Sequence, residues 1–190
     1  MANEESTDSD PFKDPRYAGF PSGFFDRVDQ SPDQTFYSEP RIVTHIDPGA
    51  IAAVGAFYQE LNLGGSVLDI MSSWVSHFVD APNNLVALGM NATELAENKQ
   101  ATSWVQHDLN LDPKLPFENE SFDSVVCCVS IDYLVRPLEV FDEIHRCLKS
   151  GGVFANTFSN RCFPTKAIRG WSQTDDRGHV SIVGEYYRLT

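Results

Sequence analysis

Five short apolar runs punctuate an otherwise mixed chain: Val67-Leu68-Asp69-Ile70, Leu85-Val86-Ala87-Leu88, Trp104-Val105-Gln106-His107, Ser124-Val125-Val126-Cys127-Cys128-Val129, and Val153 to Phe158. Runs of this length bounded by turn residues predict strands, and the first, second and fourth are apolar enough to be buried in a sheet. Between them the period changes. Ile51, Val54, Phe57 and Leu61 recur at three to four residues and predict a helix that opens at Asp47-Pro48 and stops at Gly64-Gly65. Leu138, Phe141, Ile144 and Leu148 predict a second, opening at Arg136-Pro137 and ending at Gly151-Gly152. Asn91-Ala92-Thr93-Glu94 has capping-box spacing and predicts a brief helix to about Asn98. Trp74 to Val79 predicts only a short helix, and Gly178 to Thr190 a terminal one.

Strands alternating with helical segments imply βαβ units and a mainly parallel sheet of about five strands, a doubly wound α/β fold. Ligands on such sheets bind at the carboxyl ends of the strands. That rule selects the loops at 70–77, 89–92, 107–112, 130–136 and 159–166.

The chain outside the α/β pattern divides in two. Residues 1–15 are acidic and nearly free of aliphatic side chains, so they are expected to be mobile. Residues 16–46 interleave Tyr17, Phe20, Phe24, Phe25, Phe36 and Tyr37 with Pro, Gly and Asp, without helical or strand period. This predicts an irregular aromatic arm, a lid or brace docked on a domain spanning 47–190.

A formal net charge of −13 opposes binding to phosphate backbones, so nucleic acid is not an expected partner. No run approaches the roughly 20 apolar residues of a membrane span, and none is expected. The acidic start lacks the features of a targeting segment, which points to the cytoplasm; a plastid or mitochondrial home stays open if a presequence has been removed. Cys127, Cys128, Cys147 and Cys162 show neither CxxC nor closely spaced histidines, so neither a metal site nor a disulfide framework is expected.

Three segments carry a resemblance. Val67-Leu68-Asp69-Ile70 is similar to the first-strand motif of the class I S-adenosylmethionine (SAM) methyltransferases of the "type 11" group. Leu115-Pro116-Phe117-Glu118-Asn119-Glu120-Ser121-Phe122-Asp123-Ser124-Val125 resembles that group's LPF-x-x-x-SFD-x-V segment, and Glu143-Ile144 through Leu148-Lys149-Ser150-Gly151-Gly152 its turn before the fifth strand. The resemblance implies a Rossmann-like methyltransferase fold. It also implies SAM-contacting positions at Asp69, Met71, Ser72, Ser73, Met90, Asn91, Asp108 and Leu109.

Several of those positions depart from the pattern. The turn Met71-Ser72-Ser73-Trp74-Val75-Ser76-His77 has no glycine where the family has several, so Met71 and Trp74 must point elsewhere or fill the pocket. Met90 stands where an acid would hold the ribose hydroxyls; losing that contact costs about 1.5–3 kcal/mol, and the Asn91 amide replaces part of it unless it serves as the helix cap. Asp108 matches the adenine contact, beside the plain reading of a turn aspartate. The family's sheet also has two further strands that residues 159–190 leave no room for. Either the sequence is shortened, or a partner or the arm covers the fifth strand's edge.

No catalytic residue follows from spacing, because methyl transfer needs mostly positioning. Candidate substrate contacts are His45, His77, Ser130, Asp132, Tyr133, Arg161 and Cys162, all in or near the selected loops. Asp132 and Tyr133 either orient an acceptor or cap a turn. Arg161 or Lys166 either meets an acidic substrate or is an ordinary loop charge, and Cys162 is reactive only if those cations lower its pKa. Two functions follow: a SAM-dependent methyltransferase of a small molecule, or a catalytically inactive descendant serving as a binding or assembly subunit of a larger complex. A nicotinamide-dependent oxidoreductase ranks last, since no G-x-G-x-x-G follows the first strand.

Overall fold

The computed structural model describes residues 13–190, so residues 1–12 of the expected mobile tail lie outside it. Five strands, β1 (Ser66–Ile70), β2 (Asn84–Gly89), β3 (Ser103–Gln106), β4 (Phe122–Cys128) and β5 (Leu148–Thr157), form one parallel sheet in the order β3-β2-β1-β4-β5. The order reverses between β1 and β4, and a crevice opens at such a point. All five apolar runs became strands.

Strand alternation sorts the core into two layers. Leu68, Ile70, Val125 and Cys127 face α4 (Pro137–Cys147) and α6 (Asp176–Leu189) through Leu138, Phe141, Ile144, Ile182 and Tyr186. Val67, Leu85 and Val126 face α2 (Pro48–Glu60) through Val54 and Tyr58. Asp47 caps α2 by accepting from Gly49 N at 2.9 Å and Ala50 N at 3.0 Å, with Pro48 at the first helical position. Only β2 to β3, through α3 (Ala92–Glu97), and β4 to β5, through α4, are joined by helices.

Two expectations change. Residues 74–79 form no helix: His77, inside the segment, takes a left-handed φ of 59°, which a helix does not accommodate. β5 begins at Leu148 rather than Val153, although regular pairing with β4 resumes only at Ser124 opposite Val153. On the outer edge of β5 no strand pairs among the described residues. There α6 reaches in: Tyr187 Oη donates to Phe154 O at 2.8 Å and accepts from Asn156 Nδ2 at 2.7 Å.

The N-terminal residues pack on both the α/β layers and the cavity side. Arg169 N donates to Asp26 O at 2.7 Å, Gly170 N to Phe24 O at 2.9 Å, and Asp29 N to Thr165 O at 2.8 Å. A Cβ on Gly170 would stand 2.2 Å from the Phe24 ring, so only glycine allows that approach. Tyr17 Oη donates to Glu139 at 2.5 Å and accepts from Leu138 N at 3.1 Å, docking the arm on α4. Further along, α1 (Asp33–Phe36) carries Asp33, which binds Arg27 Nη1 at 2.7 Å, Lys166 Nζ at 3.1 Å and Asn110 Nδ2 at 2.7 Å. Lys166 is fully buried and also donates to Ser31 O at 2.7 Å. Removing one partner of a buried pair leaves the other charge desolvated, so Lys166→Met is expected to cost about 3 kcal/mol, read from urea unfolding. An unchanged midpoint would show that this clamp does not hold the arm.

Candidate functional site

The five selected loops converge on one cavity of about 220 Å3 at the carboxyl ends of the strands. Asp69, Met71 and Ser72 line it after β1, Met90 and Asn91 after β2, Asp108 and Leu109 after β3, Ser130 and Tyr133 after β4, and Arg161 and Cys162 after β5. The arm supplies the outer wall with Asp33, Tyr37, Arg41 and residues 43–46. Among the described residues, five non-glycine residues have positive φ, and three of them, Met71, His77 and Val129, line this cavity. Strained backbone concentrates at sites of function, and a β-branched residue at φ 48° is a true outlier.

The turn after β1 is held from both sides. Ser72 N donates to Leu88 O at 2.8 Å, and a Cβ on Gly89 would lie 2.1 Å from Ser72 O, so the turn passes over β2 only because residue 89 is glycine. Ser72 Oγ donates to Asp69 Oδ2 at 2.6 Å beneath. Burial lifts the Asp69 carboxyl to about 7, against the lowering effect of the Ser72 and Ser76 hydroxyls.

Comparison with known proteins adds to this geometry. The family model described as "Methyltransferase domain" matches residues 65–156. That stretch holds β1 to β4, α4 and all of β5 but its last residue. Residues 65–156 are thus similar to a methyltransferase domain. The chain is 33% identical over 67 residues to the biotin biosynthesis bifunctional protein BioHC of Teredinibacter turnerae, covering 35% of this chain and 12% of that one. It is 32% identical over 68 residues to the malonyl-[acyl-carrier protein] O-methyltransferase of a Marinomonas species, covering 35% and 25%. The matches thus span a quarter or less of the curated relatives' lengths. Among solved structures, the PH0226 protein of Pyrococcus horikoshii OT3 superposes with a TM-score of 0.51 at 19% identity, covering 66% of each chain, which is a likeness of fold.

Within the matched stretch, the positions expected to contact SAM all lie around the cavity, but their bonds differ from expectation. Met71 and Trp74 line the space without filling it; Trp74 Nε1 donates to Val43 O at 3.0 Å and so holds the arm. Asn91 is committed: Oδ1 accepts from Thr93 N and Glu94 N, and Nδ2 donates to Tyr37 O and Ser38 O. The cap and the arm take its whole amide, so with the arm docked it does not replace the acid missing at Met90. Asp108 serves its turn through Oδ1, accepting from Asn110 N at 3.0 Å and Leu111 N at 3.2 Å, while it also lines the cavity. Leu109 is buried in the wall.

Glu94 was not among the expected site residues. It lines the cavity from the first turn of α3, with Oε1 accepting from Arg41 N and Oε2 from Ser73 Oγ, both at 2.6 Å. Its spacing from Asn91 suggested a capping box, but the carboxylate reaches the arm instead of closing that box. This is the nearest acid in sequence to the position that Met90 occupies.

Substrate-side candidates separate as well. His45, His77, Ser130, Tyr133, Arg161 and Cys162 line the cavity, whereas Asp132 does not. Asp132 is buried with Oδ2 unpartnered, and its backbone oxygen accepts from Ile168 N at 3.0 Å. Lys166, weighed for an acidic substrate, lies under the arm in the clamp. Cys162 is not activated: burial, then the Asp132 charge, pushes its thiol up. Burial lowers the pKa of both His45 and His77, which favours their neutral forms. His107 Nε2 pairs with Asp112 O at 2.8 Å, a turn contact.

Burial also lifts the Asp132 carboxyl to about 7. An acid whose folded pKa is raised binds more protons folded than unfolded, so its contribution is present at low pH and lost as pH rises from about 4 to about 7. Stability of the domain is expected to fall across that window, and Asp132→Asn is expected to flatten the fall in thermal melts at pH 5 and pH 8. Parallel curves for variant and parent would remove Asp132 from this role.

Proposed function

We propose that this chain is a SAM-dependent methyltransferase acting on a small molecule. One observation carries the reading: the five strand-end loops of a methyltransferase-family domain meet at one cavity, with residues that fit the cofactor's parts. At the adenine end, both bonds of Asp108 fall on Oδ1, which leaves Oδ2 to accept from an amino group. At the ribose end, Glu94 offers the carboxylate that Met90 lacks, and at the methionine end Ser72 and the Met71 backbone form the turn. When bound, SAM supplies an electrophilic methyl group. The chain's own part is to orient an acceptor against it and keep water out, with the neutral imidazoles of His45 and His77 available to take a proton.

A second reading has its own support. Asn91 and Glu94 bond to the arm, and the outer edge of β5 faces no strand among the described residues, as in a domain used for assembly.

Calorimetric titration of S-adenosylhomocysteine, then SAM, separates the two. Micromolar binding that Asp108→Ala abolishes supports the enzyme, and Glu94→Gln is then expected to weaken it by about tenfold. No heat at millimolar ligand from folded protein overturns the enzyme reading and favours the assembly subunit.

A further inference from the structure

Most arginines of this chain are neutralised by its abundant carboxylates. Six of the nine form ion pairs with Asp or Glu; among the described residues Arg41, Arg161 and Arg177 do not. Two of those three, Arg41 and Arg161, line the one cavity described above. The same wall carries Asp33, Asp69, Glu94 and Asp108, yet neither guanidinium stands within ion-pair distance of a carboxylate among the described residues.

Arg41 is held rather than free to swing. Its guanidinium carbon lies 4.6 Å from the centre of the Phe36 ring, 5.5 Å from Phe163 and 5.8 Å from Tyr37. Nη2 donates to Phe36 O at 2.9 Å, while Nη1 is buried and has no acceptor. Glu94 is bonded to the backbone N–H of Arg41 and to Ser73, not to this guanidinium. A buried charged donor without an acceptor is costly, and a planar fork fixed by aromatic faces matches a carboxylate. Beside it, Phe163 stands edge-on to Phe36, tilted against Tyr133 at 5.9 Å and edge-on to His45 at 5.4 Å, an apolar wall next to the unpaired donor.

We infer that the acceptor taken by this cavity is a small organic carboxylate, its acid group held by Arg41 and its body laid against Phe163 and Tyr133. This rests on the methyltransferase reading and goes beyond it by naming the acceptor's chemistry. The cofactor has a carboxylate of its own, so the test must tell the two sources apart.

Benzoate and hexanoate, with benzamide and hexanamide as uncharged counterparts, are titrated into the 190-residue chain with and without saturating S-adenosylhomocysteine. At least one acid is expected to bind about tenfold or more tightly than its amide, with Arg41→Gln abolishing the preference and leaving S-adenosylhomocysteine affinity unchanged. Equal or absent binding of acids and amides to the folded parent overturns the inference. So does a variant that weakens S-adenosylhomocysteine but not 5′-methylthioadenosine, which lacks the carboxylate, because Arg41 then serves the cofactor. An acid preference lost in Arg41→Gln without any cofactor binding supports the anion site and sinks the methyltransferase reading alone. Should Arg41→Gln fail to fold, Arg41→Lys keeps the charge without the fork and is expected to lose part of the preference; full retention counts against the assignment.

Discussion

The cavity exists in this form because one buried carboxylate ties three distant segments together. Asp33 of the arm receives Arg27 from the same arm, Lys166 from the segment after β5, and Asn110 from the loop after β3. Burial alone would raise its pKa, but the Arg27, Asn110 and Lys166 contacts outweigh it and hold the carboxyl below its ordinary value. Asn110 then passes the constraint on, donating to Tyr133 O at 2.9 Å and accepting from Val135 N at 2.9 Å, so the loops after β3 and β4 are fixed by the same hub. A network centred on a buried Asp33–Lys166 pair is intolerant of losing one of those members. The arm's position over the site follows from it.

The glycine-free turn after β1 shows how a different set of contacts can support a related path. The left-handed conformation occurs, but at Met71, and the close approach that needs a missing side chain has moved to the partner strand, at Gly89. Strain at Met71 is tolerated because Ser72 is bonded at both ends, to Leu88 O by its amide and to Asp69 by its hydroxyl. The acid that the family resemblance implies after β2 shows a similar exchange: Met90 carries none, while Glu94, one helical turn further, brings a carboxylate to the cavity wall.

The electrostatics divide the molecule by depth. Paired carboxylates at the surface, such as Asp123 with Lys149 and Glu143 with Arg146, are stabilised as anions. Asp69 and Asp132, without a cation against them, are shifted the other way by burial. Cations are thus spent mostly outside the cavity, which is why Arg41 and Arg161 at its wall stand out.

By itself the sequence determined the five strands, the long helices and the family resemblance, because apolar period, capping residues and turn glycines act within a few residues of each other. It also determined which loops would line the crevice, since strand ends follow from strand limits and parallel connection. Only the tertiary structure decided what those loop residues do. Asn91 and Glu94 are bonded to an arm some fifty positions away, Lys166 is buried beneath it, and Asp132 turns from the cavity into the interior. Arg41 carried no local signal at all; its unpaired state depends on where every other carboxylate of the chain has been placed. Local propensity reads neighbours along the chain, whereas charge pairing and desolvation depend on neighbours in space.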